Sequence, residues 1–247
     1  MMRASAFEFR FRFWLMVAVI FIGFWSPWIE GLHLGTRGTA WLWLGFQLGG
    51  LGIAAGTAIE LVTIAAIVLA ALAAWLRIWG TAYLGPATVL HTQMQAGRVM
   101  ADGPYRRVRN PLYLGSFFMV AAIALLMPAS GAAFTLVILA VFLLRLIVGE
   151  EAFLSRQIGT SYEAYRRAVP RLIPSIFPRT EAGGNRPHWG QAIVNEITPL
   201  GVLVSFAALS WQYNAGLLTR AVLISFGLSL VVRALTMPRD GAPTPAA

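Results

Sequence analysis

The sequence predicts an all-α protein, a polytopic membrane bundle of about six transmembrane helices. Three observations indicate this fold class: 58% of the 247 residues are hydrophobic, only 12% are charged, and the mean hydropathy is +0.69. A soluble domain carries about 25% charged residues. Because few residues lie outside the apolar runs, we expect one integral membrane domain rather than a large soluble one.

Six apolar runs are typical of membrane spans. They are Phe13 to about Ile29, Ile59–Trp79, Leu112–Met127, Ala132–Val148, Ala192–Trp211 and Ala221–Val232. The first run lacks a small-residue cleavage site, so we interpret it as a retained anchor rather than a signal peptide. A further segment, Thr39–Gly56, is rich in Trp and interrupted by Gly, which favours a helix at the membrane interface over a seventh span.

The third and fourth runs are predicted to form an antiparallel helical hairpin. The sequence PASG between them, Pro128–Gly131, predicts a tight turn with almost no loop. Two polar segments flank this hairpin, Leu84–Asn110 and Gly149 to about Gly190. The hairpin brings them together, so we expect any site for a water-soluble cofactor there.

The arginines predict the orientation. All 19 basic residues are arginine, and with six spans only Arg37 and Arg220 fall on the side opposite the N-terminus. The positive-inside rule then places the N-terminus and both polar segments in the cytoplasm. We expect an integral protein of a bacterial inner (cytoplasmic) membrane.

Composition also excludes several kinds of site. The chain has no cysteine and no lysine, which excludes disulfides, thiolate ligands and Schiff-base chemistry. The three histidines are far apart, and we predict no metal site. The net charge of +9 is not concentrated in a soluble module, so we predict no nucleic-acid partner.

The stretch GPYRRVRNPLYLG precedes the third span and has the residues of a binding pocket. Pro111 suits the first turn of a helix, and a helix N-terminus attracts anions. Arginines and tyrosines surround that point, which predicts a pocket for a ligand with an anionic group and a ring. The residues assigned to it are Gly103, Tyr105, Arg109, Asn110, Pro111 and Tyr113. The alternative is an arginine cluster that contacts lipid headgroups.

A pair of carboxylates, Glu150 and Glu151, follows the fourth span. The macrodipole disfavours acidic residues at a helix C-terminus. The presence of the pair there therefore suggests a function, such as binding ribose hydroxyls or a cation. The alternative is a structural ion network with arginines. Downstream, Thr160–Glu163 fits a capping box for a short helix, which we expect to cover the mouth of the hairpin.

These motifs, in this order, resemble the isoprenylcysteine carboxyl methyltransferase family, which is related to the membrane phospholipid methyltransferases. The residues that match are Gly103, Tyr105, Arg109, Pro111, Tyr113, Glu150, Glu151, Gly159, Tyr162, Tyr165, Val169 and Pro170. The resemblance covers about residues 97–174. It divides the chain into membrane helices with an interfacial segment (1–96), a methyltransferase-like core (97–174), and a linker with two membrane helices (175–247).

The resemblance implies methyl transfer from S-adenosylmethionine, bound from the cytosol, to a lipophilic acceptor from the bilayer, with membrane lipids as surroundings. It implies that Arg109 orients the cofactor or acceptor carboxylate at the catalytic centre and that Glu150 or Glu151 binds the cofactor. Asn110 stands where the family usually has His. Because Asn does not titrate near neutral pH, we do not expect a proton transfer there.

The sequence is also compatible with two other functions. One is an NADPH-dependent membrane enzyme of the sterol-reductase type, with arginines on the 2′-phosphate. The glutamate pair argues against it, since carboxylates repel a phosphate-rich cofactor. The other is a non-enzymatic lipid-binding protein. The sequence carries no signal for the methyl acceptor's chemistry or for the oligomeric state.

Overall fold

The computed structural model describes residues 4–25, 38–84 and 101–236, with only the backbone of Arg233. Most of these residues are in helices, and the β-structure among them is one isolated bridge between Thr39 and Pro128. The α-helices are α1 (Ala6–Arg10), α2 (Arg12–Phe24), α3 (Ala40–Gly50), α4 (Ala55–Leu84), α5 (Pro111–Ala124), α6 (Ala129–Ile158), α7 (Thr160–Ala168), α8 (Trp189–Asn195), α9 (Ile197–Leu209) and α10 (Ala215–Thr236). Short 3-10 turns occupy Gly103–Arg106 and Ser210–Gln212.

The all-α class is confirmed, whereas the described residues show three or four spans rather than six. Helices α4, α6 and α10 are long and apolar enough to cross a membrane, and α8 with α9 makes a fourth span if the pair, bent by 73°, counts as one. Helices α2 and α5 are apolar but have only 13 and 14 residues, about 20 Å each. The end of the predicted first span, residues 26–29, lies outside the described residues.

The Thr39–Gly56 segment forms a short helix that packs on α4. Helix α3 has 11 residues, which is too short to cross a bilayer alone. The indole of Trp41 donates a hydrogen bond to Thr63 Oγ1 at 3.1 Å, and the amide of Ala40 donates to the carbonyl of Met127 at 2.7 Å. The helix is therefore attached to the turn of the hairpin. Its position at a membrane interface stays a prediction.

The predicted hairpin is confirmed, but its turn lies earlier in the chain. Helix α5 ends at Ala124 and α6 begins at Ala129, so the turn is residues 125–128 rather than Pro128–Gly131. Pro128 precedes the first turn of α6, where a missing N–H costs nothing. Gly131 is buried in α6, and its carbonyl would lie 3.2 Å from a Cβ on Gly23 of α2. The small residues of PASG serve helix packing instead of the turn.

Helix α6 continues to Ile158, ten residues beyond the predicted end of the span. Glu150 and Glu151 therefore lie inside the helix, where the macrodipole does not oppose them. Gly159, with φ +70°, ends α6, and α7 begins at the next residue. The conformation of Gly159 is one that L side chains avoid, and it joins the two helices without a loop.

The predicted capping box at Thr160–Glu163 is wrong. The N-cap residue of α7 is Gly159, and no side chain caps the helix. The carbonyl of Gly159 accepts hydrogen bonds from the amides of Tyr162 and Glu163 at 3.1 and 3.2 Å, and the carboxylate of Glu163 pairs with Arg166 at 2.9 Å. Because α6 runs directly into α7, Thr160 is already helical and cannot act as a cap.

Residues 175–185, which we call the strap, run along the arginine-rich segment before α5. The amide of Ser175 donates to the carbonyl of Arg107 at 2.9 Å, and the amide of Arg179 donates to the carbonyl of Arg106 at 2.8 Å. Arg106 Nε in turn donates to the carbonyl of Thr180 at 2.9 Å. The two polar segments that flank the hairpin therefore meet, as the sequence predicts.

Asp102 anchors the far end of the strap. Its buried carboxylate accepts hydrogen bonds from the amides of Gly183, Gly184 and Asn185 at 2.7, 3.2 and 3.0 Å, and from Asn185 Nδ2 at 2.7 Å. Hydrogen bonds to an ionised carboxylate are among the stronger ones in proteins. The strap is thus held by a side chain that precedes the predicted pocket motif.

Gly103 begins the 3-10 turn in a conformation that only glycine adopts easily. Its φ is +54°, and a Cβ at this position would overlap the ring of Tyr83 in α4. Gly184 in the strap also has a positive φ, +86°, but a Cβ there would meet no atom within 4 Å. Comparing the two glycines therefore separates the cost of backbone strain, which a side chain would meet at both, from the cost of steric overlap, which it would meet only at Gly103.

We expect Gly103→Ala to destabilise the protein more than Gly184→Ala. The left-handed conformation costs an L residue about 1–2 kcal/mol, and overlap with a packed ring adds about 1–3 kcal/mol. Thermal unfolding in detergent, monitored as the loss of monodisperse protein, measures the stability of both variants. Gly190→Ala is the control, since Gly190 lies in α8 with open space around it and helical Gly→Ala changes are neutral or stabilising. Equal melting temperatures for Gly103→Ala and Gly184→Ala would contradict the steric argument.

Candidate functional site

The carboxylate of Glu151 is the centre of an ion network at the mouth of the hairpin. Its side chain is 4% exposed, and its Oε1 lies 3.1 Å from Arg109 Nε. Arg171 donates to the same carboxylate from Nη2 at 2.7 Å and from Nε at 3.1 Å. Asn110 Nδ2 donates to Oε1 at 3.1 Å. Because a buried charge is tolerated only when it is paired, Glu151 is committed to holding these three side chains.

Arg109 is held on several sides. Its amide donates to the carbonyl of Pro170 at 2.9 Å, and its Nη1 donates to the carbonyl of Arg166. The Nε atom is within ion-pair distance of Glu151 but is not aligned for a hydrogen bond. Arg109 therefore joins the segment before α5 to α7 and to the residues after α7.

Glu150 has a different environment from its neighbour. Its Oε2 accepts a hydrogen bond of 2.8 Å from the hydroxyl of Tyr113, in the first turn of α5. Its Oε1 is buried and has no hydrogen-bond partner among the described residues. An unsatisfied buried oxygen costs about 1–3 kcal/mol, and more for a charged group. Glu150 is thus the carboxylate that can accept a hydrogen bond or a cation from a ligand.

Tyr105 offers a second buried polar atom. Its hydroxyl has no partner within the described part of the chain, and a Cβ on Gly80 would lie 3.5 Å from it. Burial raises the pKa of Tyr105 well above its usual range, and the charges of Tyr165 and Glu150 act in the same direction. The hydroxyl therefore stays protonated and is a hydrogen-bond donor for a ligand.

Helix α7 covers this region with two tyrosines, as the sequence predicts. The rings of Tyr162 and Tyr165 are 5.9 Å apart, and both side chains are buried with Val169. The hydroxyl of Tyr165 donates to the carbonyl of Tyr105 at 2.8 Å. Burial raises the pKa of Tyr165, so this donor is present at neutral pH.

An open depression of about 330 Å³ lies beside the network and is lined mainly by arginine. The five arginines are Arg109, Arg166, Arg167, Arg171 and Arg179. Arg109 and Arg171 share the single carboxylate of Glu151, so the depression keeps a net positive charge. It suits an anionic group such as a carboxylate or a phosphate.

The structure groups the predicted site residues into two sets. Arg109 and Asn110 meet Glu151, while Tyr113 meets Glu150. Pro111 is the first residue of α5, and Gly103 packs against Tyr83. These last two shape the backbone, and their part in binding a cofactor stays a prediction.

Two residues of this region escaped the sequence analysis, Arg171 and Asp102. Arg171 directly follows Pro170, two residues after the last residue of α7, and this position just after the covering helix was the signal that its side chain could turn back to α6. Asp102 comes before the motif and had no signal, because its partners lie about eighty residues away in the strap.

Comparisons with known proteins agree with these motifs. Residues 61–161, from α4 to the start of α7, match the family model described as phospholipid methyltransferase. A Protein-S-isoprenylcysteine O-methyltransferase of Schizosaccharomyces pombe is 40% identical over 80 residues, which are 32% of this chain and 34% of the relative. The match thus spans about a third of that relative's length. No solved structure matches the chain.

The family match includes the hairpin, both glutamates and the arginine-rich stretch before α5, whereas four other residues of the resemblance lie after its end: Tyr162, Tyr165, Val169 and Pro170. The resemblance is therefore confirmed over this part of the chain. Residues 61–161 are thus similar to the phospholipid methyltransferase family, and α4 and α6, which lie largely within them, are long and apolar enough to cross a membrane.

Proposed function

We propose that the protein transfers a methyl group from S-adenosylmethionine to a lipophilic acceptor. The cofactor enters at the polar mouth of the hairpin, from the cytosol, and the acceptor enters from the bilayer. The observation that carries this proposal is the buried Glu150 carboxylate, which has one oxygen bound to Tyr113 and the other unsatisfied. It lies within the segment that matches the methyltransferase family.

The side chains at the mouth fit the polar groups of this cofactor. Glu150 Oε1 accepts a hydrogen bond from a ribose hydroxyl or from the amino group, and the Tyr105 hydroxyl donates to an oxygen or a nitrogen. The arginine-lined depression receives a carboxylate. Arg109 contributes to it while it is paired with Glu151.

S-adenosylmethionine, when bound, supplies an electrophilic methyl group on a sulfonium, which is a good leaving group. The protein then has little acid–base work to do, and its part is alignment and exclusion of water. The tyrosines of α7 cover the site with buried aromatic surface. Asn110 is a positioning residue, because its amide bridges Glu151 and the carbonyl of Arg171.

One observation favours the alternative cofactor, NADPH. The charge of Glu151 is offset by Arg109 and Arg171, so only Glu150 opposes a phosphate-rich ligand. The arginine-lined depression would itself accept a 2′-phosphate. The family match favours methyl transfer, and a binding measurement separates the two.

Titration calorimetry of the full chain in detergent tests the cofactor. We expect S-adenosylhomocysteine, the product form, to bind at one site and NADPH not to bind measurably at the same concentration. Adenosine is the control, because it lacks the carboxylate of S-adenosylhomocysteine. It should bind more weakly, since it cannot use the arginines. Binding of NADPH with no binding of S-adenosylhomocysteine would overturn the proposal.

The adjacent variants Glu150→Gln and Glu151→Gln should behave differently. Glu150→Gln keeps an oxygen that can accept from Tyr113 and replaces the one that has no partner in the described residues. We therefore expect the affinity for S-adenosylhomocysteine to fall by at least about tenfold with little change in stability. Glu151→Gln leaves Arg109 and Arg171 without their carboxylate, which costs about 3–5 kcal/mol. Calorimetry and thermal unfolding on the same preparations measure both effects. The expectation fails if Glu150→Gln melts early and binds normally.

A further inference from the structure

A second buried ion pair lies within the bundle, apart from the hairpin's mouth. Arg77 of α4 donates to Glu196 from Nε at 2.6 Å and from Nη2 at 3.0 Å. Glu196 is 3% exposed and stands at the bend between α8 and α9. An ionisable pair buried inside a bundle of apolar helices is costly and suggests a functional site. Neither residue belongs to a motif that the sequence singles out.

The pair joins the family segment to the C-terminal helices. The hydroxyl of Thr81, one turn after Arg77, donates to Glu196 Oε1 at 2.6 Å. Arg77 Nη1 donates to Ser116 Oγ of α5 at 2.6 Å. Arg77, Thr81 and Ser116 lie within residues 61–161, which match the family, whereas Glu196 lies outside them. The site therefore needs both parts of the chain.

A cavity of about 260 Å³ extends from this ion pair into the bundle. Its walls are apolar side chains from α2, α5, α9 and α10, among them Phe13, Met16, Met119, Val202, Val222 and Phe226. Its charged residues, Arg77 and Glu196, stand together with Ser116, and we call this cluster the polar end. The other polar side chains of the lining are uncharged: Asn195, Thr198, Thr219 and Ser229. Gly201 of α9 lies so close to Ser225 of α10 that a Cβ would overlap it, which fixes the distance between these two helices.

The charges at the polar end select the kind of headgroup. Glu196 neutralises Arg77, so the end has no net charge to attract an anion. A guanidinium has five N–H donors, and three of them engage Glu196 and Ser116. The remaining two can donate to an uncharged oxygen. The apolar part has room for one slender chain, not for the paired chains of a phospholipid.

We propose that this cavity binds a single-chain lipophile with an uncharged, oxygen-bearing headgroup, such as a long-chain alcohol, with the headgroup at Arg77. None of the residues that line the cavity belongs to the candidate cofactor site, so binding here can be tested separately from cofactor binding. It assigns a role to the C-terminal helices, which complete a lipid-binding cavity against the family segment.

Photoaffinity labelling of the full chain in phosphatidylcholine nanodiscs tests the site. Three probes carry a diazirine at the same carbon: hexadecanol, hexadecane and hexadecanoic acid. We expect hexadecanol to label cavity-lining residues at least about fivefold more than either other probe, since a site built to donate hydrogen bonds discriminates against a chain that lacks the oxygen. Equal labelling by the three probes, or a preference for the acid, would overturn the proposal.

Two matched variants on α10 localise the labelling. Val222→Trp fills the cavity, and we expect hexadecanol labelling to fall at least about fivefold, because overpacking a confined space excludes the chain. Leu228→Trp places the same side chain on a position that is 55% exposed and should label as the unchanged protein does. If Val222→Trp and Leu228→Trp label equally well, the chain binds elsewhere and the proposal is wrong.

The double variant Arg77→Met with Glu196→Met tests the headgroup. Replacing both members of a buried ion pair by apolar residues is tolerated far better than removing one, so we expect this variant to fold and to lose the preference for hexadecanol over hexadecane. Retention of that preference would refute the assignment of the polar end. Binding of S-adenosylhomocysteine, measured alongside, should be unchanged in Val222→Trp and Leu228→Trp, whose positions lie outside the candidate cofactor site, so failure of this site and failure of the proposed function are distinguishable.

Discussion

The hydrogen-bonded ion network around Glu151 holds together the polar segments on both sides of the hairpin. A carboxylate buried near the end of a membrane helix is unfavourable by itself, and here Arg109, Arg171 and Asn110 satisfy it. These partners all lie outside α6, so the Glu151 carboxylate fixes the residues that precede α5 and those that follow α7. The geometry of the candidate site follows from this one requirement for charge compensation.

Adjacent residues on one helix point about 100° apart, and this rotation separates the roles of the two glutamates. Glu151 faces the arginines, and Glu150 faces Tyr113. The ion network around Glu151 holds in place the part of α6 that carries Glu150. Two consecutive identical residues thus give one satisfied and one unsatisfied carboxylate, and only their hydrogen-bond and ion-pair partners distinguish them.

Hydrophobic patterning predicted the all-α class and the hairpin, because apolar runs and the short connection between them are local properties, whereas the count of six spans is not confirmed. The order of the motifs also predicted that Glu150 and Glu151 return to Arg109. Long-range pairing was not predictable: Arg77 meets Glu196 across 119 positions, and Asp102 meets Gly183 across 81. The capping box at Thr160 failed for the opposite reason, since a local pattern was overridden by Gly159, whose positive φ joins two helices directly.

The strap has a consequence for how this protein can be dissected. Asp102 and Arg106 lie inside the methyltransferase-like segment, but their hydrogen-bond partners come from residues after it, and the amide of His188 donates to the carbonyl of Ala82 at the end of α4. A fragment cut at the boundary of the family match would expose a carboxylate and several carbonyls that the intact chain satisfies. The protein is therefore not modular at that boundary, and no smaller autonomous unit can be excised there without supplying new partners for these groups.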